Sequence, residues 1–322
     1  MAATSDSATV IQSGTVAEAT TNRRWYNGPT FRRNAEGWLF ASPWVLGFIL
    51  WTAGPMLASL VIAFTDWDLV GELEWVGMEN LSIMFNDKLI WQSLKVTSIY
   101  AFTSVPLHLI FGMGLALLLN ADIKGLRWYR TAFYLPSVLS GVAVALLWRW
   151  LFSGEFGLLN ALLDVVGIDG PSWLGDPDWA LRSLVVMSLW GVGAGAIIYL
   201  AGLQGIPTDL YEAAEVDGAR FWSRFWNITI PMMTPVLFFQ LVTGLIAALQ
   251  VFTQAFIMTN GGPNNSTLFL LLYLYQNAFQ YWKMGYASAI AWVLFTYILI
   301  LTLILHFTSK RWVYYEGDDW TG

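Results

Sequence analysis

Hydrophobic positions in this chain run in long unbroken blocks rather than in alternation. Six blocks, 38–64, 96–119, 129–152, 181–203, 235–258 and 285–307, are each long enough to cross the ~30 Å hydrocarbon core of a bilayer, which takes about 20 helical residues. The pattern predicts an all-α polytopic membrane protein with six transmembrane helices. A tail over 1–37 precedes the membrane domain, which spans 38–308, and a second tail, 309–322, follows it. One stretch breaks the pattern: between the fourth and fifth blocks, loop 204–234 carries Tyr211-Glu212-Ala213-Ala214-Glu215-Val216-Asp217-Gly218-Ala219. An acid-studded, small-residue segment of this kind cannot sit in hydrocarbon and must project into water.

Basic residues orient the six spans. Arg23, Arg24, Arg32, Arg33, Lys124, Arg127, Arg130, Arg220, Arg224, Lys310 and Arg311 all fall on one side. The opposite side collects Asp66, Asp68, Glu72, Glu74, Glu79 and Asp87 in one loop and Glu155, Asp164, Asp169, Asp176 and Asp178 in another. Its nearby basic residues are Lys88, Arg182 and Lys283. Both termini and the Glu212 segment are therefore expected in the cytoplasm.

Composition agrees with this reading and narrows the chemistry. The chain has 322 residues, 57% hydrophobic and only 12% charged, with a mean hydropathy of +0.55, well outside the soluble range. Its 19 Trp and 13 Tyr suit a protein anchored at both membrane interfaces. A net charge of −6 with scattered basic residues argues against nucleic acid as a partner. With no cysteine, disulfide, thiolate-metal and thiol redox chemistry are excluded. The first 37 residues lack an apolar core, so no cleavable signal peptide is expected; the tail before Arg23 reads as disordered.

Within the polar loop, Pro207-Thr208-Asp209 opens a short helix, with Asp209 as the expected N-cap and Glu212 at the capping-box spacing. Gly218 suits a left-handed helix end. A second short helix over 219–228 would place Phe221, Phe225 and Ile228 on one side. Pro231 and Pro235 then lead into span five. The predicted shape is a helix-turn-helix elbow joined to two spans. On spacing alone it can be either a docking element or an interfacial loop whose small residues allow close packing.

The order Glu-Ala-Ala-x-x-Asp-Gly-Ala (Glu212–Ala219 within 203–235), followed by Ile228-Thr229-Ile230-Pro231 and Pro235, resembles the cytoplasmic coupling loop of permease subunits of bacterial binding-protein-dependent ABC importers. Ile230 stands where that family often has Leu. Further stretches resemble the sugar-importer permeases of the maltose-transporter type: Phe64-Thr65-Asp66-Trp67-Asp68-Leu69, Trp75-Val76-Gly77-Met78-Glu79-Asn80, Trp148-Arg149-Trp150-Leu151-Phe152 and Thr259-Asn260-Gly261-Gly262-Pro263. The resemblance implies the type I ABC importer permease fold in a bacterial cytoplasmic (inner) membrane. It also implies that Glu212, Ala213, Ala214, Asp217, Gly218 and Ala219 couple the spans to ATPases. The implied partners are a second homologous permease, two ATP-binding subunits, an extracytoplasmic sugar-binding protein and membrane lipid. Unlike the maltose permease, this chain shows no extra N-terminal spans and no large external insertion.

No Gly-x-x-x-x-Gly-Lys-Ser/Thr loop is present, so ATP and its Mg belong to partner subunits and no cofactor is expected on this chain. No nucleophile–histidine or acid–base pair marks it as an enzyme. A sugar pathway needs uncharged hydrogen-bonding groups and aromatic faces. Span five supplies Gln240, Thr243, Gln250, Thr253 and Gln254, with Gln250 and Gln254 spaced to share one helical face. Tyr199 on span four is a further candidate. These amides can line the path or bond helix to helix. Likewise His108 can line the path or pack, Gly191, Gly193 and Gly195 can admit a neighbouring helix or sugar, and Lys95 and Arg149 can snorkel or bind an anion. His306 is expected to be an interfacial group. The expected cargo is a neutral sugar or oligosaccharide, the alternatives being glycerol 3-phosphate or another polyol. An ion-driven secondary transporter would require mid-membrane acids.

Overall fold

A computed structural model describes residues 29–121 and 124–314. The expectations placed on Arg23, Arg24 and the disordered tail, and those on the chain beyond 314, lie outside the described residues. Among the described residues, four helices are long and apolar enough to cross a membrane: Glu36–Ile62, Lys88–Leu119, Phe221–Met258 and Met284–Ser309. They correspond to spans one, two, five and six. Chain contacts divide the protein into two units, up to Ala58 and from Ser59. In the first unit the span-one helix is apolar all round, and Trp38, Phe40, Trp44 and Trp51 are exposed on it. Such a surface is suited to lipid or to a neighbouring helix.

Within the second unit, spans three and four are not the continuous helices that their hydrophobic blocks suggest. Span three is Leu126–Val138 and Gly141–Leu151, bent by 98°, and span four is Pro177–Leu189 and Gly193–Gln204, bent by 48°. The first break has a local cause: Leu139 and Ser140 are both extended, so the hydrogen-bond ladder cannot run through them. The second falls at Trp190-Gly191-Val192, and Gly193 explains its position. A Cβ at Gly193 would collide with the Phe133 carbonyl, so the two broken spans pack backbone to backbone there. Hydropathy registers the apolar run and is blind to such a corner.

The main core packs Tyr100, Ala101 and Val105 of span two and Leu184 and Met187 of span four with Leu245 and Leu249 of span five. It also takes in Ile290 of span six and Phe269, Leu270 and Leu272 from the segment between spans five and six. Thr97 accepts the backbone N–H of Leu270 at 2.9 Å, which ties that segment to span two. On the face expected to be external, Asn80 donates to the Ala63 and Thr65 carbonyls at 3.0 and 2.9 Å. Asp87 caps span two by accepting from Leu89 N at 2.8 Å. The same carboxylate accepts the Tyr273 and Tyr286 hydroxyls at 2.6 and 2.7 Å, so the start of span two is fastened to span six. Burial raises the Asp87 carboxyl pKa, but the two tyrosines and the Leu89 and Ile90 amides outweigh it and hold the pKa below its ordinary value.

Candidate functional site

Two regions of the second unit answer to the expected chemistry, an elbow and a cavity. The elbow begins with the helix Thr208–Val216. Its N-cap is Pro207, with no side-chain cap, rather than Asp209. Pro207 cannot continue an upstream helix, and Asp209 instead sits in the first turn, where a carboxylate favours the positive end of the helix dipole. The far end follows the expectation in detail. Gly218 has φ +76°, Gly218 N donates to Glu215 O at 2.9 Å and Ala219 N donates to Ala214 O at 2.8 Å. This is a Schellman cap, closed by the left-handed residue it requires.

The second arm begins at Phe221 rather than at Ala219 and does not end at Ile228 as the 219–228 expectation has it. It is Phe221–Arg224 followed by a π-turn, Phe225–Thr229, which runs directly into Ile230–Leu249 of span five. Two contacts brace the arms: Arg224 Nη1 pairs with Glu215 Oε2 at 3.2 Å, and the Tyr211 and Thr229 hydroxyls are 3.0 Å apart. Glu212, Ala213, Asp217 and Gly218 are exposed, while Ala214 and Ala219 are half-buried on the inner side. The elbow is seated on a cluster of Met113, Ala116, Tyr199, Leu200, Leu203, Ile206 and Met233, against which Tyr211 and Ile228 pack.

The cavity measures about 520 Å³ and lies between spans two, four and five. Span two contributes Tyr100, Ser104 and His108, span four Ser188 and Tyr199, and span five Gln240, Thr243 and, beyond its break, Gln254. No Asp, Glu, Lys or Arg lines it among the described residues. His108 sits 2.8 Å from the Ser104 carbonyl through Nδ1 and 3.0 Å from that of Ser188 through Nε2. It therefore pins span two to span four while also forming wall. Tyr199 and Gln240 lie together over Gly195, where a Cβ would come within 2.7 Å of Gln240 Nε2. The Tyr199 ring also rests on Gly112, whose Cβ would come within 2.9 Å of Cε2.

One expectation for span five fails. Gln250 and Gln254 do not share a helical face, because regular helix stops at Leu249 and resumes at Thr253. Gln254 faces the cavity; Gln250 and Thr253 are outside its lining. The local sequence carries no Gly or Pro at this gap. Arg149 donates to the Ile257 carbonyl at 3.1 Å, at the C-terminal end of the Thr253–Met258 helix, a favourable site for a cation. The sequence reading missed Tyr100, Ser104 and Ser188. Tyr100, Ser104 and His108 follow one another at four-residue steps, a polar stripe on span two that helical spacing makes readable.

An apolar chain of four long and two broken helices, with a braced elbow and an uncharged polar cavity, has the layout of a membrane transport subunit. Residues 108–313 match the profile of the family described as the binding-protein-dependent transport system inner membrane component. The chain belongs to that family. It is thus a multi-pass protein of the inner membrane, and the permease is similar over nearly its whole length to known relatives. It is 47% identical over 291 residues, 89% of this chain and 94% of the other, to a probable ABC transporter permease protein, YesP, of Bacillus subtilis. It is 34% identical over 286 residues, 86% of this chain and 95% of the other, to the lactose transport system permease protein LacF of Rhizobium radiobacter. Among solved structures it resembles a chain of a bacterial ABC transporter involved in import of the acidic polysaccharide alginate. That match has a TM-score of 0.78 and 25% identity, and covers 88% of the permease and 97% of the other chain. The permease therefore has the ABC importer fold, and the relatives named here are transport permeases rather than enzymes.

Proposed function

We propose that this permease forms half of a translocation pore for a neutral sugar or oligosaccharide. A homologous permease completes the pore, two subunits that bind ATP and Mg power it, and an extracytoplasmic binding protein delivers the cargo. Residues Glu212, Ala213, Ala214, Asp217, Gly218 and Ala219 form the coupling face toward an ATP-binding subunit on the cytoplasmic side. Gln254 and Tyr199 act in the substrate path, joined by Gln240 and Thr243; Gln250 and Thr253 stand aside from it.

The observation that carries this reading is the continuity between elbow and cavity. Tyr199 is at once cavity wall and a member of the cluster that seats Tyr211 and Ile228 of the elbow. A displacement of the elbow as a rigid body therefore reaches the wall through packed side chains rather than through a flexible link. The absence of charge from the lining among the described residues favours a polyhydroxylated neutral cargo over glycerol 3-phosphate. It gives an ion-driven mechanism no mid-membrane carboxylate to work with.

Gly218→Pro and Asp217→Lys test the coupling. In the assembled transporter, uptake driven by ATP should collapse in both, while sugar binding by the delivery protein is retained. Uptake at the unmodified rate in both variants would remove the elbow from the mechanism.

A further inference from the structure

A contiguous aromatic cluster projects from the second arm of the elbow. Phe225 is its hub: its ring lies 6.3 Å from Phe221, 5.9 Å from Trp222 and 5.1 Å from Trp226. Phe221, Trp222 and Trp226 are each more than 60% exposed. A lipid-facing surface tolerates such exposure; a surface in water does not, unless it has an occupant.

The level of the cluster decides between these two. Span six ends at Ser309, just before Lys310 and Arg311, and the chain after it folds back onto span five: Tyr314 N donates to Thr234 at 2.9 Å and the Trp312 ring lies 5.9 Å from Phe238. Thr234 and Phe238 therefore mark the boundary of the apolar zone on this side. At 1.5 Å per helical residue, Trp226 lies about 12 Å and Trp222 about 18 Å beyond Thr234 along the axis. Headgroups occupy only about 5–8 Å per leaflet. Even at a 40° tilt Trp222 stays about 14 Å out. Trp222 therefore clears the headgroups, and the end of the cluster that it shares with Phe221 reaches water.

Its surroundings specify the occupant. The first arm presents Asp209, Glu212 and Asp217 and the second arm Arg220, all exposed, so the surface stays acidic in balance; Glu215 is paired across the elbow with Arg224. The complementary surface is an apolar groove with a basic rim. We propose that Phe221, Trp222 and Trp226 form the apolar anchor by which the elbow grips the ATP-binding subunit. The small-residue face of the Thr208–Val216 helix then supplies fit and register. Exposed Trp residues fixed on a braced scaffold are the side chains that dominate protein interfaces. The proposal rests on the reading of the elbow as the coupling site and adds where its binding energy is concentrated.

The test uses the whole transporter in lipid nanodiscs, with the photoreactive residue p-benzoylphenylalanine at position 222 and, as a reference, at position 216 in the first arm. Both positions should cross-link to the ATP-binding subunit. Cross-linking there from 216 alone, with 222 captured by lipid or by the second permease, would overturn the anchor and leave the coupling reading standing. Cross-linking there from neither would remove both. Alongside it, Trp222→Ala and Trp226→Ala should each weaken retention of the ATP-binding subunit by about thirty-fold, the loss expected of an interface hot spot, while Trp222→Phe stays close to the unmodified affinity. Unchanged retention in both alanine variants would also overturn the anchor.

Discussion

The elbow and the cavity are built by opposite means. The elbow is local: a left-handed glycine, a cap closed within six residues, and one ion pair and one hydroxyl pair between neighbouring arms. The cavity is assembled from spans two, four and five, and its shape depends on where those helices break and how closely glycines let them approach. The lesson is that the part that receives force is specified by short-range chemistry, whereas the part that holds cargo is specified by tertiary packing. Substitutions in the two regions should therefore fail in different ways.

The largest expected effect is at Gly193, which sets the corner of span four. Gly193→Ala puts a Cβ into the Phe133 carbonyl, and backbone cannot yield as a side-chain tip can. Overpacking of this kind costs typically 1–3 kcal/mol, and the upper end is expected here. Thermal unfolding of the purified permease in detergent should show a marked loss of stability. An unchanged midpoint would mean that the broken spans do not meet in this way.

Next in size are substitutions in the cavity wall. Gln240→Ala and Gln254→Ala should each raise the half-saturating cargo concentration for uptake by about ten-fold, the worth of one well-formed hydrogen bond, without loss of the ATP-binding subunit. Gln250→Ala, outside the lining, should leave it unchanged. A ranking with Gln250 first would reinstate a continuous polar face on span five.

For a mild substitution at Gly218 a smaller effect is expected, and it should be confined to the turn. Nothing lies within 4 Å of a Cβ at Gly218, so only its φ of +76° resists substitution. Gly218→Ala should therefore cost about 1 kcal/mol, and Gly218→Asn less, because Asn tolerates the left-handed region. Amide hydrogen exchange of Ala219, whose N–H closes the cap, reads this directly. Equal exchange in all three proteins would mean that the cap does not hold the turn.

These contrasts also explain what could be read from the sequence. The four long spans were legible because hydropathy alone marks them, and Gly218 was legible because a helix end signals itself within a few residues. The corner at Leu139–Ser140 left a faint trace in Pro136 and Gly141, and the one at Trp190–Val192 in its flanking glycines. The gap between Leu249 and Thr253 left none: Gln250, Val251 and Phe252 include neither Gly nor Pro. Gln250 was thus assigned to the path on a helical spacing that the folded chain does not keep, while Tyr100 and Ser104 passed unnoticed within an apolar block.

The smallest expected effect lies away from both regions, at Asp87, and tests whether the frame that holds them is electrostatically tied. Asp87 accepts two tyrosine hydroxyls and a backbone amide, and its pKa is held below the ordinary carboxylate value. A depressed carboxylate contributes stability that is fully present above the unfolded-state pKa of about 3.9 and is lost as pH falls through the folded value. Asp87→Asn keeps one carbonyl acceptor and cannot titrate. It should lower stability by under about 1 kcal/mol at neutral pH, and the gap to the unmodified permease should close on acidification below the ordinary carboxylate range. Unfolding midpoints of the two proteins across that range decide it: a gap of constant size down to the acid limit would show that the hydrogen-bond geometry, and not the charge, fastens span two to span six.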